Sequence, residues 1–234
     1  MGAKCGLSSR NQNGLINRAV IHSLWGSQHV DWSNLGSCGA SGGVLVMWDT
    51  QVVNKMEEAT GRFSVSYKFT SLSDQLVWAF TSVYGPNLLR DRRFLWEELC
   101  GLNRWWSVPW CVGGDFNVVR FPSKRLGSNS FTTVMREFFN FISEQGLIDL
   151  PLQGDTFTWS NDREVATKAR LDRFLFSADW EDKFPTVSQR RMSRLCSDHF
   201  PIVLRGGSFQ RGCMPFRFEN MWLKDESFVD RVRS

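Results

Sequence analysis

The order of the apolar runs constrains this chain more than any other feature of its sequence. Residues 44–48 are continuously apolar, 63–69 alternate as Phe63, Val65, Tyr67 and Phe69, and 76–84 are rich in β-formers. All three read as strands joined by hairpins. Tyr84-Gly85-Pro86-Asn87 breaks the last of them. A helix is expected over 89–106, with Leu95, Leu99, Leu102 and Trp106 on one stripe. Residues 110–116 return to a buried strand. A second helix over 132–145 turns Val134, Phe138, Phe141 and Ile142 inward, and Gly146 stands where a C-capping glycine belongs. Residues 147–152, 156–160, 170–176 and 199–204 read as further short strands, and 179–184 as a turn or two of helix. Upstream, 15–26 form a short helix with Ile16, Val20 and Leu24 at fours, followed by a Gly/Ser-rich loop over 36–43. Strands that alternate with a few helices, without a regular β-α-β period, imply α+β layers rather than a Rossmann sheet.

Composition narrows the classes without choosing among them. With 234 residues, 42% apolar and 22% charged, the chain can bury a sizeable core and does not resemble a disordered polymer. Most of the 11 Trp and 19 Phe are expected inside. The net charge of +4 is mild; it permits nucleic-acid contact without demanding it. Arg190, Arg191 and Arg194 cluster before the strongest motif and read either as solvated surface or as a phosphate-contacting patch. The six cysteines form no Cys-x-x-Cys pair, so a zinc site is not expected, and Cys111 reads as core. Residues 1–13 lack an apolar block and no window of membrane-spanning length is apolar. The expectation is an intracellular protein, nuclear or cytoplasmic, not secreted, with no membrane segment and no obligate protein partner.

Three segments place polar groups at the ends of expected strands. They are Gly114-Asp115-Phe116-Asn117, Ala169-Arg170-Leu171-Asp172-Arg173 and Ser197-Asp198-His199-Phe200-Pro201. Metal-assisted phosphodiester cleavage needs groups of this kind. A hard divalent cation takes carboxylate and amide oxygens. An attacking water needs a carboxylate to orient it and accept its proton. A phosphate gathering negative charge needs donors such as a protonated histidine, and a second carboxylate behind the imidazole fixes its orientation and favours its charge. Each segment alone has a plainer reading, since an Asp at a strand end is often a turn former. Their order and the upstream Tyr84-Gly85-Pro86-Asn87 give them joint weight.

Gly-Asp-Phe-Asn, then Arg-Leu-Asp-Arg, then Ser-Asp-His-Phe-Pro resemble the second half of the endonuclease/exonuclease/phosphatase family. The flanking text resembles endonuclease regions of plant non-LTR, LINE-type retrotransposons, which precede a reverse transcriptase: Trp-Cys-Val-Gly-Gly-Asp-Phe-Asn-Val-Val-Arg, Phe-Thr-Trp-Ser and Pro-Phe-Arg-Phe-Glu-Asn-Met-Trp. The resemblance implies an α+β, four-layer α/β sandwich, two sheets face to face with helices outside. It implies hydrolysis of DNA phosphodiesters with Mg2+ or Mn2+. It implies that Asp115 positions or deprotonates the water, that Asn117 is a phosphate and metal-shell ligand, and that Asp198 is a metal-shell carboxylate. His199 would contact the scissile phosphate, Asp172 would orient it, and Tyr84 would offer its hydroxyl to the phosphate. The competing reading of Tyr84 is a turn-edge core aromatic. Trp159 is read as core rather than as a platform for DNA.

The resemblance is incomplete. Family members open with a strand ending in an Asn-containing motif and a second ending in Gln-Glu-Thr, whose Glu is the principal metal ligand; neither motif occurs here. The expectation is therefore a domain over 1–206 that lacks its first strands, a linker over 207–234 toward an absent reverse transcriptase, and weak or no activity. Two rival readings stand beside it: a phosphatase for a small phosphoester on the same fold, and a non-catalytic nucleic-acid-binding or structural remnant.

Overall fold

The computed structural model describes residues 18–35, 44–161, 167–184, 186–194 and 197–206. In chain order the elements are α1 (Arg18–Trp25), β1 (Val30–Leu35), β2 (Val44–Asp49), β3 (Val53–Thr60), β4 (Ser64–Ser71), β5 (Val77–Tyr84), α2 (Leu89–Trp106), β6 (Trp110–Asp115), α3 (Thr133–Glu144), β7 (Leu147–Ile148), β8 (Leu152–Gln153), β9 (Trp159–Ser160), β10 (Lys168–Ala169), β11 (Asp172–Ser177), α4 (Ala178–Lys183), β12 (Ser188–Arg191) and β13 (Ile202–Arg205). The proposed linker, the Gly/Ser loop and the first residues of the expected N-terminal helix lie outside the described residues.

A six-stranded sheet in the order β3-β4-β5-β6-β11-β7 forms the spine. β3, β4 and β5 make an antiparallel meander. The chain then crosses through α2 so that β6 lies parallel to β5, and β11 returns antiparallel to β6. Side chains alternate across this spine with period two. One face sends Ala79, Val83, Trp110, Val112 and Leu175 against Leu95, Leu99 and Leu102 of α2 and Phe138, Phe141 and Ile142 of α3. The other sends Val65, Tyr67, Phe69, Trp78, Phe80, Cys111, Phe174 and Phe176 against Val44, Val46 and Trp48 of β2 and Ile202 of β13. The opposite residues of β2, Leu45 and Met47, meet Ile21 and Leu24 of α1. The layers run helices, spine, smaller sheets, helix, which is the four-layer α+β sandwich expected. The smaller sheets are β1-β2 and β13-β12-β8.

Helix boundaries were legible because their signals are local. α2 spans the expected residues. α3 starts after Thr132, whose side chain accepts from the Met135 amide at 3.3 Å, and Gly146 follows it at φ 60°. Strands were less legible. β1, β3 and β12 read VDWSNL, VNKMEEAT and SQRR and have no apolar run to announce them. β3 is an edge whose Lys55, Glu57 and Glu58 keep its open side charged. The expected strand over 147–152 is two short strands in different sheets, because Asp149 turns inward between them to a buried ion cluster. The strand expected over 199–204 begins only at Ile202; Pro201 has no amide to donate, and His199 makes an isolated bridge to Trp159.

Candidate active site

Three of the expected site residues are brought together by register alone. Tyr84, the last residue of β5, faces Asp115, the last of β6, and Asp115 faces Asp172, the first of β11. Residues directly opposed in neighbouring strands share a face. These three therefore continue the face of Phe80, Cys111, Phe174 and Phe176, at the open end of the layer between the sheets. Close backbone approach permits this. Gly114 has φ 141°, and a Cβ there would collide with the Val83 carbonyl oxygen. At Gly85 a Cβ would collide with the Phe116 carbonyl oxygen.

His199 closes the group from the segment before β13. Its Nδ1 lies 2.9 Å from Asp172 Oδ2, and its Nε2 lies 3.9 Å from Asp115 Oδ2. The first contact is a hydrogen bond. The second is too long for one and is an ion-pair contact. Burial opposes charge on this imidazole, but the charge and hydrogen bond of Asp172, then the charges of Asp115 and Asp198, outweigh it and raise its pKa to about 10. Burial raises the Asp115 carboxyl to about 7, helped by the charge of Asp172 and opposed by that of His199. His199 is thus an imidazolium at neutral pH, donating to Asp172 and holding an N–H toward Asp115.

Asn117 and Asp198 flank this centre. Asn117 takes a left-handed backbone, φ 52°, donates its amide to Asp115 Oδ1 at 2.8 Å and donates its side-chain Nδ2 to the Gly85 carbonyl at 2.7 Å. With the nitrogen committed, the side-chain oxygen is the atom left for a ligand. Arg92 of α2, buried beneath, donates to the Asn117 carbonyl at 2.9 Å. Asp198 accepts from Trp159 Nε1 at 2.9 Å and lies outside the tight group of Asp115, Asp172 and His199, whose donor atoms fall within 4.8 Å of one another. Tyr84 is half-buried against the inter-sheet aromatic core, as its reading as a turn-edge core aromatic expects.

Trp159 has a second task beside its sequence reading. It is partly buried against Val119, Met135 and Ala169, as a core residue would be, and its indole N–H also donates to a site carboxylate. Two further residues, Arg92 and Thr158, position the site. Arg92 carried no signal, being one arginine among several on α2. Thr158 sits in Phe-Thr-Trp-Ser, and its buried hydroxyl accepts from the Leu171 and Asp172 amides, both at 3.0 Å, while its carbonyl accepts from the Phe200 amide at 2.7 Å. It thereby ties the backbone of Asp172 to that of the His199 segment. The arginine cluster divides. Arg191 pairs with Asp155 at 2.6 Å and stacks on Phe200 at 3.9 Å; Arg194 stacks on the same ring at 4.6 Å and donates to the Ser197 carbonyl. Arg190 points to solvent.

No protein-family profile matches the sequence, and no curated protein does. Solved structures do match. The endonuclease domain of TRAS1, a telomere-specific non-LTR retrotransposon, superposes with a TM-score of 0.61 at 16% identity, over 79% of this chain and 83% of that one. The AP endonuclease LMAP from Leishmania major gives 0.59 at 16% identity, over 82% and 75%. An endonuclease/exonuclease/phosphatase family protein from Bacteroides thetaiotaomicron gives 0.50 at 17% identity, over 75% and 74%. The chain has the endonuclease/exonuclease/phosphatase fold.

On that fold, the donor chemistry fits a hard divalent cation. A mostly buried carboxylate raised by burial and by a like charge, an uncommitted amide oxygen and a further carboxylate are oxygen donors whose negative charge a cation would relieve. Asp172 and His199 stand beside Asp115 in the group whose donor atoms lie within 4.8 Å of one another, with His199 Nδ1 engaged by Asp172. Asp115, with the Asn117 amide bonded to it, offers oxygens of the kind such an ion takes. Among the described residues no glutamate joins the group.

Proposed function

We propose that this chain hydrolyses DNA phosphodiesters with Mg2+ or Mn2+, as the endonuclease of a non-LTR retrotransposon. The observation that carries the reading is the Asp172–His199–Asp115 arrangement, one imidazolium between two carboxylates, with a hydrogen bond on one side and a 3.9 Å gap on the other. Asp115 Oδ2 faces His199 Nε2 and is the carboxylate placed to act as a general base. It takes the proton of the attacking water. His199 donates through Nε2 to a phosphoryl oxygen as charge gathers there, and Asp172 keeps the ring charged and aimed. The bond from phosphorus to one sugar oxygen breaks, and that oxygen leaves with a proton from the medium. Asn117 and Tyr84 orient the phosphate. A divalent ion on Asp115, Asn117 and Asp198 would supply Lewis-acid charge at the phosphoryl group.

The motif order, the flanking resemblance to plant retrotransposon sequences and the TRAS1 endonuclease domain among the similar structures support this substrate over a soluble phosphoester. The reading includes low metal affinity and low turnover, since no glutamate joins the carboxylate set among the described residues. The test is nicking of supercoiled plasmid with added Mg2+ or Mn2+ by the parent protein and by His199→Ala. Weak nicking by the parent that disappears in the variant is expected. Equal signals from the two would overturn the proposal. Salt-sensitive DNA binding without any cleavage would reduce the chain to a binding remnant.

A further inference from the structure

On the helix side of the spine, positive charge is buried in excess. Arg173 follows Asp172 in β11, so its side chain leaves the opposite face of the sheet and lies over the Phe138 ring of α3 at 5.0 Å. Arg173 and Arg170 each meet Asp149 at 2.9 Å, and Arg120 meets the same carboxylate at 3.5 Å. Three guanidinium groups thus share one carboxylate, and among the described residues no other acid pairs with them. The side chains of Arg170 and Arg173 are 3% and 0% exposed, and the Nε of all three arginines is buried without an acceptor. Buried charge is costly unless it is paired. The cluster reaches the surface at Arg120, whose side chain is 18% exposed. Its guanidinium lies over the rings of Phe121 and Phe139, at 5.0 and 5.3 Å. Nη1 turns to Asp149, while Nη2 is neither bonded nor enclosed. Arg136 is exposed one helical turn before Phe139 on α3. Its neighbour Glu137 is engaged by Arg93 at 3.5 Å, and residues 116–136 contain no acid.

We propose that Arg120, with Arg136, binds a small tetrahedral dianion, phosphate above all, at the rim of this cluster. The site lies on the face of the spine away from Asp115 and His199 and does not depend on the phosphodiesterase reading. Two negative charges match the excess that Asp149 leaves uncompensated. The planar guanidinium fork fits a phosphate oxygen pair. Two aromatic rings already hold that fork in place, so binding costs little side-chain freedom. The bound anion would screen the repulsion among Arg120, Arg170 and Arg173 and so steady the strand that carries Asp172. Free phosphate and the phosphate of a small monoester share this chemistry. A plainer account leaves Arg120 to solvent alone, and the two accounts differ in what phosphate does to stability.

The experiment follows urea denaturation midpoints in sodium phosphate and in sodium chloride of equal ionic strength, with calorimetric titration of phosphate alongside. It compares the parent, Arg120→Gln, Arg136→Gln and His199→Ala, the last to remove phosphate binding at the other site. The parent midpoint should rise with phosphate and saturate, as linkage to a native-state site requires, with no such rise in chloride. Arg120→Gln should weaken phosphate on the order of tenfold and, without phosphate, be at least as stable as the parent, since one repelling charge is gone. Arg136→Gln, at an exposed position, should weaken phosphate by a smaller factor, and it decides alone if Arg120→Gln does not fold. His199→Ala should keep the full response. Glycerol phosphate that acts like phosphate extends the site to monoesters; a response to phosphate only restricts it to the free anion. A parent without a saturable response overturns the proposal. So does a response that survives unchanged in the Arg120 and Arg136 variants, or one that is lost in His199→Ala, which would place the anion at the candidate active site.

Discussion

His199 draws its character from two carboxylates, and its proton decides what the site can do. Without a divalent ion, His199 with a pKa of about 10 and Asp115 with one of about 7 both hold protons more tightly folded than unfolded. The sign follows: where the native state binds more protons, stability falls as pH rises. The His199 contribution is full below its ordinary value of 6.5 and is lost as pH climbs through about 10. Asp115 adds a decline between its ordinary 3.8 and about 7. Urea denaturation of the metal-free protein should therefore give lower midpoints at alkaline than at mildly acidic pH. His199→Gln should flatten the alkaline part, and a midpoint independent of pH would contradict the ion-paired geometry. Added Mg2+ competes with the proton on Asp115, so its affinity should rise through neutrality. Asp172→Asn removes the group that keeps His199 charged. It should cut plasmid nicking about 10²–10⁴-fold, and NMR titration should show the His199 pKa falling toward its ordinary value. At this scale the sequence was informative: Asp115, Asp172 and His199 carry recognisable neighbours, and the structure brings all three within reach of each other. Arg92 was silent, because its role depends on a backbone carbonyl 25 residues away in the chain.

Between elements, the site is held by short pieces whose value lies in a few backbone bonds. Thr158 shows this best. Thr158→Val keeps the shape and removes the acceptor shared by the Leu171 and Asp172 amides. The cost should be about 1–3 kcal/mol per buried donor left without a partner, read as a lower urea midpoint, and Thr158→Ser should recover most of it. A valine variant as stable as the parent would mean water replaces the hydroxyl and that Thr158 anchors nothing. The arginines before the third motif belong to this scale too. Arg191 and Arg194 enclose Phe200, the neighbour of His199, and so steady the segment that delivers the imidazole. The sequence left them as either surface or a phosphate-contacting patch, because Asp155, which pairs with Arg191, lies elsewhere along the chain.

Across the whole molecule, one buried carboxylate joins the sheets to the site. Asp149 meets Arg170 and Arg173, each at 2.9 Å, and Arg120 at 3.5 Å; the first two arginines are almost wholly buried. Burial lowers the pKa of Arg173 to about 10, with Asp149 opposing the fall. Asp149→Asn would leave three guanidinium groups without their carboxylate, at a cost of about 3–5 kcal/mol. Urea denaturation should show a loss of that size; a loss below about 1 kcal/mol would mean that solvent reaches the cluster. Arg170 and Arg173 bracket Asp172 in the chain, so the same variant should also disturb the His199 partner.

By itself the sequence determined the layer class, the two long helices, the inner strands and the identity of the central polar residues. All of these rest on local signals: apolar period, capping and short motifs. Only the tertiary structure decided the polar edge strands, the division of residues 147–152 between two sheets, the clamps of Arg92 and Thr158, and the task of Trp159. Each of these depends on a partner distant in the chain. A backbone amide, a buried carboxylate or an opposing strand leaves no mark on its neighbours in sequence, and its effect appears only when folding brings the two together.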